Sequence, residues 1–322
     1  MQPVRKLLLV TTLFIAAQAA HGAGQVTSPA QGCLAKMPAG KYKGLCLDLS
    51  EDRTVVRLSL AEKQKLATEL KAPQILRADY EVIENFSLHG KFWKAIIPVS
   101  RIQDMVYQQI DILPDFKIEQ LKIKNLIDIS HSQIRFELSP EGPPVQVIDE
   151  ADPAHPKLIN VPKGPTKDDL VFALWAVRAQ GHQEIFNPFH GESGEYAATY
   201  ALQGYDAATK WIIDGAYPTH QYLLARNQAQ SQAAFTYSLN IAEQRGITYM
   251  YDTTINSCSN AVFDVLLMSF FNKANPGDTP FERTEKFNQS ADPVGQLRLY
   301  QMIDQSKSLP SIQAEMLEAK KK

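Results

Sequence analysis

Hydrophobic and polar residues alternate along two adjacent stretches in the first third of the chain, DYEVIENF and KFWKAIIPVS, within residues 79–100. Alternation of this kind, with β-branched and aromatic residues, is typical of strands that are buried on one side. The preceding stretch, residues 58–71, spaces its Leu and Ala residues as a helix does. The pattern therefore predicts a helix followed by two strands.

The middle of the chain mixes strand patterns with turn-rich connections. A turn at Leu113-Pro114 precedes IKNLIDIS and SHSQIRFELSP, which together predict strand structure up to Pro140. Residues 141–165 are rich in Pro and Gly and predict turns. The apolar run DLVFALWAVRA fits either a buried strand or a short helix, because periodicity alone does not separate the two.

A polar stretch ends at Cys258, and an apolar run with helical spacing follows directly in NSCSNAVFDVLLMSFF. The run predicts a buried helix that begins at Cys258, with Asn256, Ser257 or Ser259 as its cap. Residues 276–322 contain another turn-rich connection and a polar, helical tail. Strands and helices in this order predict an α+β fold, with an antiparallel sheet packed on the Cys258 helix.

The first 23 residues have the pattern of a secretory signal peptide. Arg5 and Lys6 give the positive start, Leu7–Ala17 form an apolar core too short to span a bilayer, and small residues lead to Ala23. We therefore expect a periplasmic or secreted protein, with a retained membrane anchor as the alternative. No later stretch has the ~18 continuous apolar residues of a transmembrane helix, so none is expected after signal removal.

Composition narrows the choice of partners. The chain has 33 Lys and Arg against 35 Asp and Glu, a formal net charge of −2, and no basic stripe with interleaved aromatic residues. This balance argues against nucleic-acid binding. The length after signal removal suits one large domain or two small ones.

The three cysteines carry further information, because an exported protein meets an oxidising compartment. Cys33 and Cys46 lie close together around a Pro-Ala-Gly turn, which predicts a disulfide between them. Cys258 is then unpaired, and an odd thiol in an exported protein is buried and inert, bridged to another chain, or reactive.

The position of Cys258 at a helix start favours reactivity. The helix dipole and the free backbone N–H groups of the first turn stabilise a thiolate and a developing oxyanion. The alternative is a buried structural cysteine. A nucleophilic thiol also needs a proton acceptor, and His131, at the opening of a predicted strand, is the best of the seven histidines.

His182 and His190 offer a different reading, because they share the stretch GHQEIFNPFHGE with Glu184 and Glu192. Histidine and carboxylate side chains suit zinc, but the spacing matches no helical HExxH pattern. We therefore expect no metal and no other cofactor.

Two motifs in the chain resemble motifs of a known bacterial family. ITYMYDTTINSCSNAVFDVL resembles the Y-x-l-x-x-N-C-T-T segment of a bacterial family that includes the periplasmic N-terminal domain of the lipoprotein N-acyltransferase Lnb, and ISHSQIRFELSP resembles its Ser-His strand. The same His-before-Cys order occurs in circularly permuted papain-like enzymes of the NlpC type. The resemblance covers about residues 120–270. It implies a permuted papain-like fold with Cys258 as nucleophile and His131 as its partner.

One departure from the family pattern concerns the strand after the histidine, which usually carries Ser-x-Glu-x-Arg. The corresponding stretch here is FALWAVRAQ, where Arg178 matches but Ala176 stands at the glutamate position. In this interpretation, Arg178 and Asn256 are candidates for residues that support the catalytic pair. The sequence does not identify a third catalytic residue.

The resulting prediction divides the chain into a signal peptide (1–23), an N-terminal region with the disulfide (24–115), a papain-like catalytic domain (116–275) and a C-terminal helical tail (276–322). The predicted function is a thiol-dependent amide or ester hydrolase, or an acyltransferase, acting on a peptide, peptidoglycan, lipid or lipoprotein of the cell envelope. The alternative is a non-catalytic binding or assembly module. The enzyme interpretation expects Cys258 and His131 to face each other across one cleft, within hydrogen-bond reach or slightly beyond it.

Overall fold

The structure, a computed structural model, describes residues 33–113, 129–164, 166–182, 191, 194–271, 280–319 and 321. The signal-peptide prediction, the turn after Leu113 and His190 lie outside these residues. The α-helices in the described part are α1 Leu60–Glu69, α2 Tyr205–Asp214, α3 Gln228–Arg245, α4 Cys258–Phe271, α5 Pro280–Ala291, α6 Pro293–Leu299 and α7 Ile312–Ala319.

In the described residues, a ten-stranded sheet forms the centre of the fold, in the order β10-β4-β5-β8-β9-β2-β3-β6-β7, with β1 paired to β2. The strands are β1 Val56–Arg57, β2 Tyr80–Leu88, β3 Lys91–Pro98, β4 Ile102–Leu113, β5 Ile129–Leu138, β6 Gln146–Asp149, β7 Lys157–Asn160, β8 Leu170–Val177, β9 Ala197–Gly204 and β10 Thr219–Leu223. The pairing of β2 with β9 is parallel, and the other pairings are antiparallel. The sheet is therefore mixed.

Helices cover both faces of the sheet. The largest core lies on the face covered by α3 and α4, where Phe235 and Phe263 pack with Phe136 and Tyr200. On the opposite face, α1 covers β2, β3 and β6 at one end. Helices α2 and α7 cover β4 and β8 on that face through Ile212 and Ile312.

The α+β prediction is confirmed, but the sheet is mixed and not antiparallel throughout, because β2 and β9 run parallel. Several elements are close to their predicted positions. The helix predicted for 58–71 is α1, the two alternating stretches are β2 and β3, and the ambiguous apolar run is the strand β8. The helix predicted to begin at Cys258 does begin there. Residues from Cys33 onward form one compact unit, and strands from both 24–115 and 116–275 join the same sheet.

The predicted disulfide between Cys33 and Cys46 is present, and Cys258 is a buried free thiol. The disulfide segment extends the sheet, because Leu47 pairs with Ala179 just beyond β8. Met37 and Leu47 are buried there against Val177 and Ala179. The disulfide is compatible with an exported protein. No helix in the described ranges is long and apolar enough to cross a membrane.

A buried ionic network ties α7 to the sheet. Arg135 on β5 donates two hydrogen bonds to Asp169 Oδ2, at 2.9 and 2.7 Å, and two to Glu315 on α7, at 2.7 and 2.8 Å. Gln221 on β10 also donates to Glu315, at 3.0 Å. The last described helix is therefore held by several charge-assisted hydrogen bonds.

Candidate active site

Cys258 is the first residue of α4, and a side-chain cap fixes this helix end. The backbone N–H of Asn260 donates to Ser257 Oγ at 3.4 Å, and the Ser257 N–H donates to Asn260 Oδ1 at 3.0 Å. This reciprocal arrangement is a capping box with asparagine at its third position. Ser257 is thus the cap among the three residues that the sequence offered.

The Cys258 sulfur lies against a part of β5 that pairs with β4 but not with β8. Strands β5 and β8 pair only from Gln133 to Phe136 in the described residues. Before that point, the Ser132 N–H donates to Cys258 Sγ at 3.4 Å, and Sγ lies 4.0 Å from the Ser130 carbonyl oxygen. The thiol therefore occupies hydrogen-bonding positions on β5 that a neighbouring strand would otherwise take.

Opposing effects act on the pKa of the Cys258 thiol. Burial raises it, since a thiolate is poorly stabilised away from water, and this effect is the largest. The N–H groups of Ser132 and Ser259 and the hydroxyls of Ser259 and Tyr251 lower it, because each donates toward the sulfur. The net pKa is raised above its ordinary value, so the resting group is a neutral thiol.

His131 lies between the two β5 residues that contact the sulfur, but its ring occupies the opposite face of the sheet from Ser132. The Ser132 hydroxyl is 2.9 Å from Ser259 Oγ on α4. The His131 ring stacks on Trp175 with centroids 4.2 Å apart and meets Trp211 of α2 edge-on at 5.7 Å. Successive side chains of a strand point to opposite faces, which explains the separation.

No hydrogen bond joins the Cys258 thiol and the His131 ring in the part of the chain that the structure describes. Burial lowers the pKa of His131 to about 3, so the imidazole is neutral at ordinary pH. The expected direct contact between the two side chains is therefore not present in this arrangement. The sulfur contacts the backbone on either side of His131, at Ser130 and Ser132.

Asn256 stabilises the turn before α4 and has no hydrogen bond to the sulfur among the described contacts. Its side-chain amide donates to the Met250 carbonyl at 2.6 Å, and the Tyr200 hydroxyl donates to Asn256 Oδ1 at 3.5 Å. The same turn carries Tyr251, whose hydroxyl contacts Cys258. Asn256 thus helps to place Tyr251 beside the thiol.

Arg178 and Ala176 line a cleft of about 190 Å³ together with Asp48, Glu51 and Asp52. Asp52 comes from the segment after the disulfide and accepts a hydrogen bond from Gln203 at 3.3 Å. Burial raises the pKa of Asp52 to about 7, and the negative charge of Glu51 adds to the effect. The cleft therefore contains a carboxyl group that the sequence did not single out.

Asp52 gives a pH-dependent prediction. Its pKa is about 7 in the folded protein and ~3.9 in an unfolded chain, so stability is greatest at low pH and falls as pH rises between these values. Because Asp52 keeps some solvent contact, we expect a loss of about 2 kcal/mol between pH 5 and pH 8, less than the full shift implies. Urea unfolding at both pH values should show that Asp52→Asn removes this loss.

The control is Glu141→Gln, which alters an exposed carboxylate elsewhere in the fold. In this variant, the free energy of unfolding should differ between the two pH values by as much as in the unaltered protein. If Asp52→Asn loses as much stability between the two pH values as the unaltered protein, Asp52 is not the source of the pH dependence.

Of the two histidines considered as zinc ligands, the structure describes His182 but not His190. His182 packs on Tyr42 of the disulfide segment, with ring centroids 4.1 Å apart. His190, Glu184 and Glu192 lie outside the described residues. Within the described residues, no group of three or more His, Cys, Asp or Glu side chains is arranged to hold a metal ion.

Comparisons with known proteins identify no family for this chain. No family model matches the chain, no curated protein matches it, and no solved structure matches it. The resemblance to the Lnb-type family therefore rests on the two motifs alone.

Sequence reasoning missed the contacts of Ser132, Tyr251 and Ser259 with the sulfur, although it offered Ser259 as a helix cap. Ser132 and Ser259 are adjacent to His131 and Cys258, so sequence proximity was a usable signal. Backbone hydrogen bonds hold the segment that carries Tyr251 beside the start of β9, because the Tyr251 N–H donates to the Tyr196 carbonyl and the Ala198 N–H donates to the Tyr249 carbonyl. That backbone pairing has no signature in the sequence.

Proposed function

We propose that the chain is a thiol-dependent acyl-transfer enzyme of the cell envelope, an amide or ester hydrolase or an acyltransferase, with Cys258 as its nucleophile. The observation that carries the proposal is the set of hydrogen-bond donors around a thiol at a capped helix start. The donors are the Ser132 N–H, the Ser259 N–H and hydroxyl, and the Tyr251 hydroxyl. Such donors stabilise the negative charge that the sulfur carries as its proton leaves, before attack passes the charge to the carbonyl oxygen.

In the proposed reaction, the Cys258 sulfur forms a bond to a substrate carbonyl carbon as the thiol proton passes to a base. The tetrahedral intermediate collapses when the C–N or C–O bond breaks, and the leaving amine or alcohol takes up the proton. The product is a thioester on Cys258. Attack by water completes a hydrolase cycle, and attack by an amine or alcohol completes a transferase cycle, with the thiol restored in both.

His131 is the proposed base. Both groups are neutral at rest, because burial raises the pKa of the thiol and lowers that of the imidazole. The starting point is therefore a neutral pair, as in serine enzymes, rather than a thiolate–imidazolium pair. Proton transfer requires the ring to turn from Trp175 toward the sulfur. Arg178 is proposed as a substrate-binding residue, because it lines the Asp52 cleft with Ala176.

The substrate class follows from the proposed compartment and chemistry. An exported thiol enzyme meets peptides, peptidoglycan, lipids and lipoproteins, and all of these contain amide or ester carbonyl groups. Hydrolysis of a peptide or peptidoglycan amide is the simpler version, since it needs no second lipid substrate.

Acylation of the folded protein by p-nitrophenyl acetate tests the proposal. Intact mass should show one acetyl group that hydroxylamine removes, and peptide mapping should place it on Cys258. Cys258→Ala should lose the adduct, whereas Ser290→Ala, which changes another hydroxyl near the helix cap, should retain it. His131→Gln should slow acylation and change its pH profile. Equal labelling of the unaltered protein and Cys258→Ala would contradict the proposal.

A non-catalytic binding module is the second candidate, and two observations favour it. Cys258 is only 5% exposed, and the His131 ring packs between tryptophans rather than against the sulfur. This candidate predicts no acetyl adduct on folded protein, with normal alkylation of Cys258 after denaturation. The acylation experiment therefore separates the two functions.

A further inference from the structure

Unpartnered polar atoms are concentrated on the sheet face that carries the His131 ring. Nine buried side-chain polar atoms in the described part of the chain have no hydrogen-bond partner. Five belong to one group of neighbours, which we call the tryptophan cluster: His131 Nε2, Gln133 Oε1, Trp175 Nε1, Thr199 Oγ1 and Trp211 Nε1. Because buried polar atoms are nearly always paired, such a concentration needs an explanation, and a bound molecule would supply the missing partners.

Three strands and one helix bring these five residues together. His131 and Gln133 alternate onto the same face of β5, and Gln133 lies opposite Ala173 of β8. Trp175 follows two residues after Ala173 and lies opposite Thr199 of β9. Trp211 of α2 lies over them, with its ring centroid 5.5 Å from that of Trp175. The polar atoms therefore belong to side chains that contact or adjoin one another.

Solvent exposure differs among the five side chains of the tryptophan cluster. His131 is 5% exposed, and Gln133 and Thr199 are fully buried. The rings of Trp175 and Trp211 are half-buried and form the boundary with solvent. Ala173 and Ala201 keep the adjoining positions on this face small. Entry of a ligand to the buried polar atoms therefore requires the two half-buried rings to turn.

The chemistry of the cluster selects a type of ligand. The two indole groups only donate, the threonine hydroxyl donates or accepts, and the neutral imidazole carries one N–H. Two of the five unpartnered atoms only donate and one, Gln133 Oε1, only accepts, which favours a ligand oxygen. The cluster has no carboxylate member, so a cation would have no opposite charge. The cluster has no Lys or Arg member, and Arg135 on the same strand is already bonded to Asp169 and Glu315. An anion would therefore have no opposite charge.

We propose that the tryptophan cluster binds an uncharged ligand through an amide carbonyl or hydroxyl oxygen, with the tryptophan rings packed on the ligand's apolar surface. Aromatic walls with a few placed polar groups are typical of small-molecule sites. An N-acetylated sugar and a peptide amide share this chemistry. The proposal does not depend on Cys258 being a nucleophile.

Nuclear magnetic resonance of the three indole N–H groups tests the proposal. The probes are N-acetylglucosamine and N-acetyl-alanine N-methylamide, with acetate and tetramethylammonium as charged comparisons. The Trp175 and Trp211 signals should shift and saturate with one or both neutral probes. Trp93, whose indole N–H already donates to the Leu88 carbonyl at 3.1 Å, should not shift. Trp→Phe variants at the three positions assign the signals.

Thr199→Val keeps the shape of the side chain and removes its hydroxyl, so it should weaken neutral-probe binding by about tenfold. The matched control, Thr68→Val on α1, should bind normally. Binding should also persist in Cys258→Ala, so failure of the enzyme proposal and failure of this one are distinguishable. The inference is overturned if neither neutral probe shifts Trp175 and Trp211, if only a charged probe does, or if Trp93 shifts equally.

Discussion

Arg135→Met is expected to lower the free energy of unfolding by about 3–5 kcal/mol. The arginine is almost fully buried and holds Asp169 on one side and Glu315 on the other. Methionine fills much of the same volume but leaves the Asp169 carboxylate buried without its partner. The loss comes mainly from that uncompensated charge, because a complete buried ion pair itself contributes little net stability.

Urea unfolding followed by circular dichroism measures this change. The matched control is Arg77→Met, since Arg77 forms an exposed ion pair with Asp79 at 2.7 Å. Exposed pairs contribute ~0–1 kcal/mol, so the control should unfold close to the unaltered protein. A loss below about 1 kcal/mol for Arg135→Met would show that the network is dispensable. Because Glu315 lies on α7, the variant should also make this helix more sensitive to proteases.

Removal of the Cys33–Cys46 disulfide is the second large effect. The sequence separation of 13 corresponds to a loop whose closure contributes about 3 kcal/mol in the chain-entropy treatment. The double variant Cys33→Ser, Cys46→Ser should lose about this much unfolding free energy. The segment should remain partly held, because Leu47 also pairs with Ala179 and is buried.

Unfolding with and without a reducing agent provides the comparison. The unaltered protein should lose stability on reduction. The double variant should have the same free energy of unfolding with and without the reducing agent. Thiol counting under denaturing, non-reducing conditions should find one free thiol in the unaltered chain. Equal stability of the oxidised protein and the double variant would contradict the expected contribution of the bridge.

Much of the local structure could be predicted from the sequence, because period and capping are local properties. The alternation in β2 and β3 and the polar-to-apolar change at Cys258 each placed an element correctly. The run that became β8 was ambiguous because it is buried on both faces, and a doubly buried strand has no polar alternation. The parallel contact of β2 with β9 joins distant parts of the chain and left no local signal.

The candidate site could be predicted only in part. The helix position of Cys258 followed from its own neighbours, but the surroundings of the sulfur depend on which strand the helix end meets. That strand is β5, and the sulfur contacts its edge rather than one of its faces. A prediction from His131 alone could not place its ring relative to the helix, because one residue along a strand reverses the side of the sheet.

The strand order also has a consequence for the sequence of folding events. Strands β2 and β3 are synthesised early and can form a hairpin at once, but β2 borders β9 in the finished sheet. Until β9 is available, β2 is paired on that side by β1 at Ile83 and Glu84 but not at Ser87, and unpaired backbone groups of this kind favour pairing with another chain. Non-local pairing of this kind slows folding. The rate at which β9 reaches β2 should therefore limit the yield of folded protein at high concentration.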